Sequence, residues 1–448
     1  MRIFQAAREC VGDAVPSRAC RTAPRRYRAM AAIFILLLAG GTGSVNAAPI
    51  AFQRGATLVE FFEFPKTVGE GLAKRYAASA YPDARSALAL FDFEHLRRVG
   101  FDHVRVPLDL GPLMYGDEAE QRAILDDLVA IIDEIHRHGL TVLVTLFSPS
   151  LHNETTDDFL DGLDGRHFLA YAATVDRVAA ALTRAAPQSV ALEPMNEPQS
   201  KCRVWFGTDW TAYQRKMVER IRRIAPQLAL FLTGGCASNI DGVVLLDGDL
   251  LRDRRNFVSV HFYYPFLFTH QGSTWTEPFL AGTVGVPYPA SAGSLAESLA
   301  LTRARFKSAA LASGADRAAA AAKAEVEIRK YFAESQGIAQ IREWMDKVAD
   351  WQRRQDIDSD RIVFTEFGAM KQEIDGAQID RASRARWLHD TASIVSSHGW
   401  GWTVYVLRDG PFGIYDRESD RGPDAQLISA LGLASAGNAH ERKRRAGD

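Results

Sequence analysis

The sequence predicts an α/β protein, a (β/α)8 TIM barrel with a helical insertion after its sixth strand. Three features predict it: eight short β-rich runs, longer helical patterns between them, and several runs that are apolar throughout rather than alternating. Strands buried on both faces read that way, and a parallel sheet covered by crossover helices buries both faces. Strand and helix in steady alternation favour a closed barrel.

The first two strand-like runs are Gly55–Val59 and His103–Val106. The helical pattern Glu118–His138 sets Ile124, Leu125, Leu128, Ile131, Ile132 and Ile135 on one broad stripe, and His138-Gly139 supplies its stop signal. Thr141–Leu146 is the third strand, Arg166–Ala185 the next helix and Val190–Leu192 the fourth strand. Trp210–Ile224 reads as helix, and Leu228–Leu232 and Phe257–Val260 as strands five and six. From about residue 265 to 340 the rhythm breaks. A Gly/Pro/aromatic stretch and the Ala-rich pattern Arg317–Phe332 carry no strand signal, so this segment reads as an insertion into the active-site wall. Ile362–Thr365 and Trp402–Val406 are strands seven and eight, with helix Arg381–Ser397 between them. A doubly wound open sheet is the rival, but no Gly-x-Gly-x-x-Gly follows any of these strands.

Residues 1–47 read as a secretory signal peptide. Arg18, Arg21, Arg25, Arg26 and Arg28 precede the apolar run Ala31–Ala39, and Val45-Asn46-Ala47 supplies the small residues of a cleavage site. The run is well short of the ~20 residues that span a bilayer, which disfavours a retained anchor. The expectation is a secreted or periplasmic protein with no stable membrane insertion after cleavage. Residues 48–435 then form one domain, and 436–448, with Arg442-Lys443-Arg444-Arg445, a flexible solvated tail.

The 448 residues are 47% apolar and 24% charged, which excludes disordered, fibrous and multi-pass membrane classes. Basic and acidic side chains number 53 and 55, no footprint for nucleic acid. The leader holds seven Arg and two acids, so the rest carries 46 basic and 53 acidic groups. Cys10 and Cys20 leave with it. Cys202 follows strand four and Cys236 strand five, in neighbouring loops at one barrel end. In an oxidising compartment they are expected to form a disulfide.

Chemistry in such a barrel sits at the C-terminal strand ends. Strand four ends Leu192-Glu193-Pro194-Met195-Asn196-Glu197-Pro198, and strand seven ends Thr365-Glu366-Phe367-Gly368. An ionised carboxylate at the end of a buried strand is costly unless something there uses it. Two of them facing one cleft suit glycoside hydrolysis: one protonates the leaving oxygen, the other attacks or stabilises the anomeric carbon. Glu193, Glu60 and Glu63 are further acids near strand ends, and Glu193 is expected to support Arg105 or the barrel rather than perform chemistry.

Asn196-Glu197-Pro198, Thr365-Glu366-Phe367-Gly368, Arg105 in His103-Val104-Arg105-Val106-Pro107, and His261-Phe262-Tyr263 come in the right order at strand ends. With weaker support from Phe412-Gly413-Ile414-Tyr415-Asp416, the set resembles glycoside hydrolase family 5, the cellulase family of clan A, over roughly residues 50–435. The resemblance implies a retaining mechanism, with Glu366 as nucleophile and Glu197 as general acid/base. It implies that Arg105 and Tyr263 orient an ionised Glu366, that Asn196 bonds the 2-hydroxyl of the sugar in the −1 subsite, and that His261 lines the same subsite. Two departures stand out. The family's strand-eight Trp platform aligns best with Tyr405, with Trp402 as the alternative, and strand three ends Thr145-Leu146-Phe147, its nearest histidine being His152. Trp275, in the polar and aromatic segment Phe268–Trp275, is a candidate for stacking on glycan or for loop packing.

There is no His-x-His after strand one, no His-Glu-x-x-His and no Cys-x-x-Cys, so no metal or other cofactor is expected. The expected activity is hydrolysis of a β-1,4-linked glucan, endoglucanase-like, on a polysaccharide or oligosaccharide partner and as a monomer. β-Mannan and bacterial exopolysaccharide are the alternative substrates. A non-catalytic glycan-binding barrel is the alternative class, disfavoured by the intact acid pair.

Overall fold

A computed structural model describes residues 50–433 apart from 152–155, 187, 199–201, 203, 206–207, 309–314, 372, 375–376, 379, 409 and 416–423. The leader, the tail, His152 and Asp416 lie outside the described residues. Eight parallel strands close a barrel: β1 (Arg54–Thr57), β2 (His103–Asp109), β3 (Thr141–Phe147), β4 (Val190–Glu193), β5 (Ala229–Thr233), β6 (Asn256–Phe262), β7 (Ile362–Phe367) and β8 (Gly401–Val404). Each pairs with its sequence neighbour, and β1 closes the ring by pairing with β2 at Gly55↔His103 and β8 at Arg54↔Trp402. All eight expected runs are strands of this ring.

The helices include α1 (Phe93–Val99), α2 (Glu118–Arg137), α3 (Arg166–Leu182), α4 (Trp210–Ile224), α5 (Leu295–Arg305), α6 (Arg317–Ala333), α7 (Ile338–Gln355), α8 (Arg381–Ser397) and α9 (Ala425–Ala430). The stripe on α2 is its buried face: Ile124, Leu128, Ile131, Ile132 and Ile135 are buried. Asp117 caps it by accepting from the Ala119 and Glu120 amides, and Gly139 beyond its end takes φ 77°, where a Cβ would strain. The segment after β6 carries α5 and α6, a helical insertion anchored to its surroundings. Tyr331 donates to the Pro287 carbonyl at 2.6 Å, and Tyr288 donates to Asp390 of α8 at 2.9 Å. Helix α7 returns to the barrel layer, burying Ile341, Met345, Val348 and Trp351. Among the described residues, no helix is long and apolar enough to cross a membrane.

Side chains pointing into the barrel are layered. The lowest layer is apolar: Phe52, Leu143, Ala191, Ala229, Phe231, Phe257 and Val363 pack together. Gly55 stands beside this floor because the His103 ring occupies the space a Cβ would need, 2.1 Å from its Nε2. Above the floor the inward positions turn polar, with Arg105, Thr145, Glu193, Ser259 and Thr365 all fully buried. Two residues along each strand separate one layer from the next, so the strand period itself carries the change from hydrophobic support to chemistry.

Candidate active site

One strand breaks that period, and it carries an acid. Between β6 and β7 the register runs Ser259↔Val363 and then His261↔Glu366, so β7 contains one extra residue. The same extra residue appears against β8, where Phe364↔Trp402 is followed by Phe367↔Val404. Val363 faces inward, so strict alternation would turn Glu366 towards the helices. The bulge instead turns Thr365 and Glu366 inward together, which is how a bulge re-aims a side chain. Gly368 follows because a Cβ there would lie 2.4 Å from the Tyr405 carbonyl oxygen.

Glu366 is held from both sides. Arg105 Nη1 donates to its Oε1 at 2.6 Å, and the Tyr263 hydroxyl donates to its Oε2 at 2.7 Å. The other Arg105 donors reach Asn196 Oδ1 at 2.7 Å, Thr145 Oγ1 at 2.9 Å and Glu193 Oε2 at 3.4 Å. Glu193 also accepts from Thr145 and Ser259, at 2.7 and 2.6 Å. It therefore supports Arg105 from the buried layer. Burial alone would raise the Glu366 carboxyl, but the charges of His261 and Arg105 and the bonds from Tyr263 and Arg105 outweigh it and hold it below its ordinary value. Burial opposes charge on Arg105 too, yet Glu366 and Glu193 raise it above its ordinary range. Tyr263 stays a phenol, raised far above 10 first by burial and then by Glu366.

Glu197 faces this group across a short gap. Its side chain is 40% exposed, whereas that of Glu366 is 6% exposed. His261 Nδ1 lies 2.9 Å from Glu197 Oε1 and 3.6 Å from Glu366 Oε2. Burial lowers His261, but Glu366 and then Glu197 raise it above its ordinary value. The Glu197 backbone takes φ 43°, a left-handed conformation that a non-glycine residue seldom adopts and that clusters at functional sites. Glu197, His261 and Glu366 have ligand atoms within 4.8 Å of one another, a spacing a cation could bridge. Arg105 and Tyr263 already engage both oxygens of Glu366.

Tyr405 lies next to this cluster, partly buried with Tyr263, Val59, Met370, Val406 and Phe412, and its hydroxyl donates to Glu63 Oε1 at 3.0 Å. Trp402 does not belong to the site. It is 1% exposed, its indole nitrogen donates to Ser396 of α8 at 3.1 Å, and its ring meets Phe101 and Phe367 edge-on. Inward Thr403, bonded to His103 at 2.8 Å, fixes the parity that sends Trp402 into the helix layer. That corrects the alternative platform. Trp275 is 57% exposed on the insertion, outside the hydrogen-bonded cluster. Reading strand ends alone missed Thr145, Ser259 and Thr365, although a hydroxyl inside an otherwise apolar strand was a visible signal for each.

Cys202 and Cys236 form a disulfide with Cα atoms 4.3 Å apart. Residues Cys236, Ala237 and Ser238 all take left-handed φ, and the Ser238 carbonyl accepts from the His261 amide at 2.9 Å. The bridge thus joins the loop after the acid to the loop that holds His261. Replacing both cysteines by Ser should lower unfolding free energy by about 3–4 kcal/mol, from the 34-residue separation. Urea denaturation of oxidised wild type and the double variant would measure it, and equal midpoints would show that the bridge stabilises nothing.

Cellodextrinase A of Ruminococcus flavefaciens is 24% identical over 197 residues, 43% of this chain and 56% of that protein. Endoglucanase 3 of Fibrobacter succinogenes is 21% identical over 325 residues, 70% of this chain and 45% of that protein. The chain therefore spans about half the length of these curated relatives. Among solved structures, a hyperthermophilic endo-β-1,4-glucanase in complex with substrate superposes with TM-score 0.57 at 21% identity, covering 86% of this chain and 97% of that one. Thermotoga maritima Cel5A with mannotriose superposes with TM-score 0.56 at 17% identity, covering 85% and 97%. The family model for cellulase (glycosyl hydrolase family 5) matches residues 89–410, a span that holds Arg105, Asn196, Glu197, His261, Tyr263, Glu366 and Tyr405, and the chain belongs to that family.

Proposed function

We propose that this chain is a secreted, retaining endo-glycosidase that cleaves β-1,4-linked glucan through a covalent glycosyl-enzyme. The observation that carries the reading is the spacing of the two acids. One carboxylate oxygen of Glu197 lies within 4.8 Å of one of Glu366, a closeness that fits the roughly 5–5.5 Å of retaining enzymes better than the wider gap that an inverting enzyme needs for a water.

In the first step Glu366 attacks the anomeric carbon while Glu197 gives its proton to the leaving glycosidic oxygen. One C–O bond breaks and another, to Glu366, forms. Loss of the Glu366 charge then favours Glu197 as a base, and it takes a proton from the water that attacks the same carbon and frees Glu366. Two inversions restore the original anomer. Asn196 accepts from Arg105 through Oδ1, which leaves its amide hydrogens to bond a 2-hydroxyl. Tyr405, partly exposed beside the pair, offers a ring for the −1 sugar. Export through the leader at residues 1–47, with 48–435 as the catalytic unit, belongs to the same proposal and is supported by the disulfide.

A 2-deoxy-2-fluoro-cellobioside with a good leaving group should label Glu366 stoichiometrically, read by mass spectrometry of the peptide. Labelling of any other residue, or release of the inverted anomer from glucan, would end the retaining assignment. A parallel reducing-sugar panel of glucan, mannan and exopolysaccharide ranks the substrates. No product from any of them would favour a glycan-binding barrel instead.

A further inference from the structure

Glu63 is a buried acid that the mechanism above does not use. It follows Phe62, which is locked against β2: the Phe62 carbonyl accepts from the Asp109 amide at 3.0 Å and its ring is fully buried. Glu63 itself is 9% exposed. Its Oε1 accepts from Tyr405, and its Oε2 is buried with no hydrogen-bond partner among the described residues. Phe412 lies edge-on to both Tyr405 and Tyr263, at 5.7 Å in each case. Two tyrosine–glutamate pairs therefore stand side by side: Tyr263 with Glu366, and Tyr405 with Glu63.

The two glutamates cannot carry the same charge at equal cost. Glu366 has a guanidinium on one oxygen and a phenol on the other, while Glu63 has one phenol and one orphaned oxygen. The charged and titratable groups that act on Glu63 are Tyr405 from the end of β8, Glu366 from β7, Arg105 from β2 and Glu60 from its own loop. Arg105 is already committed to Glu366 and Glu193. A buried anion with an unmet oxygen is far costlier than a neutral carboxyl in the same place.

We propose that Glu63 is a positioning residue for cleavage: its carboxyl fixes the Tyr405 phenol and so holds the strand-eight ring beside the nucleophile. The inference rests on the reading of Glu366 as nucleophile. An anionic Glu63 would keep the Tyr405 bond but compete with Glu366 and Glu193 for Arg105 and draw water towards its unmet oxygen, disturbing the nucleophile's surroundings. Burial, opposed by the Tyr405 bond and reinforced by Glu366, pushes this carboxyl up to about 8, so the change falls on the alkaline side of neutrality. The sign is that of a raised group: its stabilising contribution is full below the ordinary value of 4.5 and is lost as pH rises through about 8.

The test is kcat and KM on a soluble β-1,4-glucan from about pH 5 to about pH 9.5 for wild type, Glu63→Gln, Glu63→Ala and Tyr405→Phe. Glu63→Ala should lower kcat about tenfold or more near pH 6, and Glu63→Gln, which cannot ionise, should recover most of that loss there. The ratio of kcat at about pH 7 to that at about pH 9 should be at least about threefold smaller in Glu63→Gln than in wild type. An alkaline profile in Glu63→Gln that matches wild type overturns the proposal. If the Gln variant does not fold, the pairing with Tyr405 decides. Adding Tyr405→Phe to Glu63→Ala should cost no more than about twofold further, whereas fully multiplicative losses overturn it. Fluoro-glycoside labelling of Glu366 in each variant separates the two failures, since unlabelled wild type would overturn the nucleophile assignment and this inference with it.

Discussion

Glu366→Ala should abolish turnover, with kcat down on the order of 10^4-fold or more, while the protein stays folded. The fold survives because Arg105 keeps Asn196 at 2.7 Å and Glu193 at 3.4 Å, so no cation is left stranded by the substitution. Catalysis does not survive, since among the described residues no other carboxylate shares both the Arg105 and the Tyr263 bonds that keep an anion ready at that point. Glu366→Gln should fail as completely, because the amide oxygen can accept from only one side, Arg105 or Tyr263, where the carboxylate accepts from both, and the nucleophile is lost. The measurement is turnover of an aryl cellobioside beside thermal unfolding. Substantial activity in either folded variant would remove Glu366 from the mechanism.

Arg105→Met should be the most damaging change to stability, at about 3–5 kcal/mol, because it leaves Glu193 and Glu366 buried without the cation they share. The pH dependence gives a sharper reading than the size. In wild type Glu366 lies below its ordinary value, so its contribution to stability is present above 4.5 and is lost as pH falls below that. Without Arg105 only His261 and the Tyr263 bond oppose the effect of burial on Glu366, so the variant should gain stability relative to wild type as pH falls. Urea denaturation near neutrality and again in mild acid compares the two. Arg105→Lys should rescue little, since one ammonium cannot reproduce a fork that reaches Glu366, Asn196 and Thr145 together. A difference between Arg105→Met and wild type that stays constant with pH would show that packing, not charge, explains the loss.

Much of this was legible in the sequence because burial leaves a strong mark. Strands covered on both faces are largely apolar, and that composition, set between helical patterns, located all eight. Glu197 and Glu366 were legible for the complementary reason, as charged groups where burial makes charge costly. Parity within a strand was harder to see. Trp402 lies within strand eight and Tyr405 just past its end, and the inward bond of Thr403 to His103 shows which aromatic faces the lumen. The bulge in β7 was invisible too, since an extra residue leaves no compositional trace and shows only when Val363 and Glu366 are both seen pointing inward. Glu63 was noticed as an acid, but its pairing joins segments 342 positions apart in the chain.

The aromatic floor makes the barrel a vessel closed at its base. Phe231 and Phe257 stack at 5.1 Å with Phe52 edge-on to both, so water reaching the ionised groups must descend from the rim. A sugar chain laid across that rim would act as a stopper. Once it is seated, Arg105 and its partners lose their exchange with bulk solvent, and the fields among them strengthen together as the local dielectric falls. The reacting centre would then be at its driest, and most strongly polarised, only while a glycan lies over it.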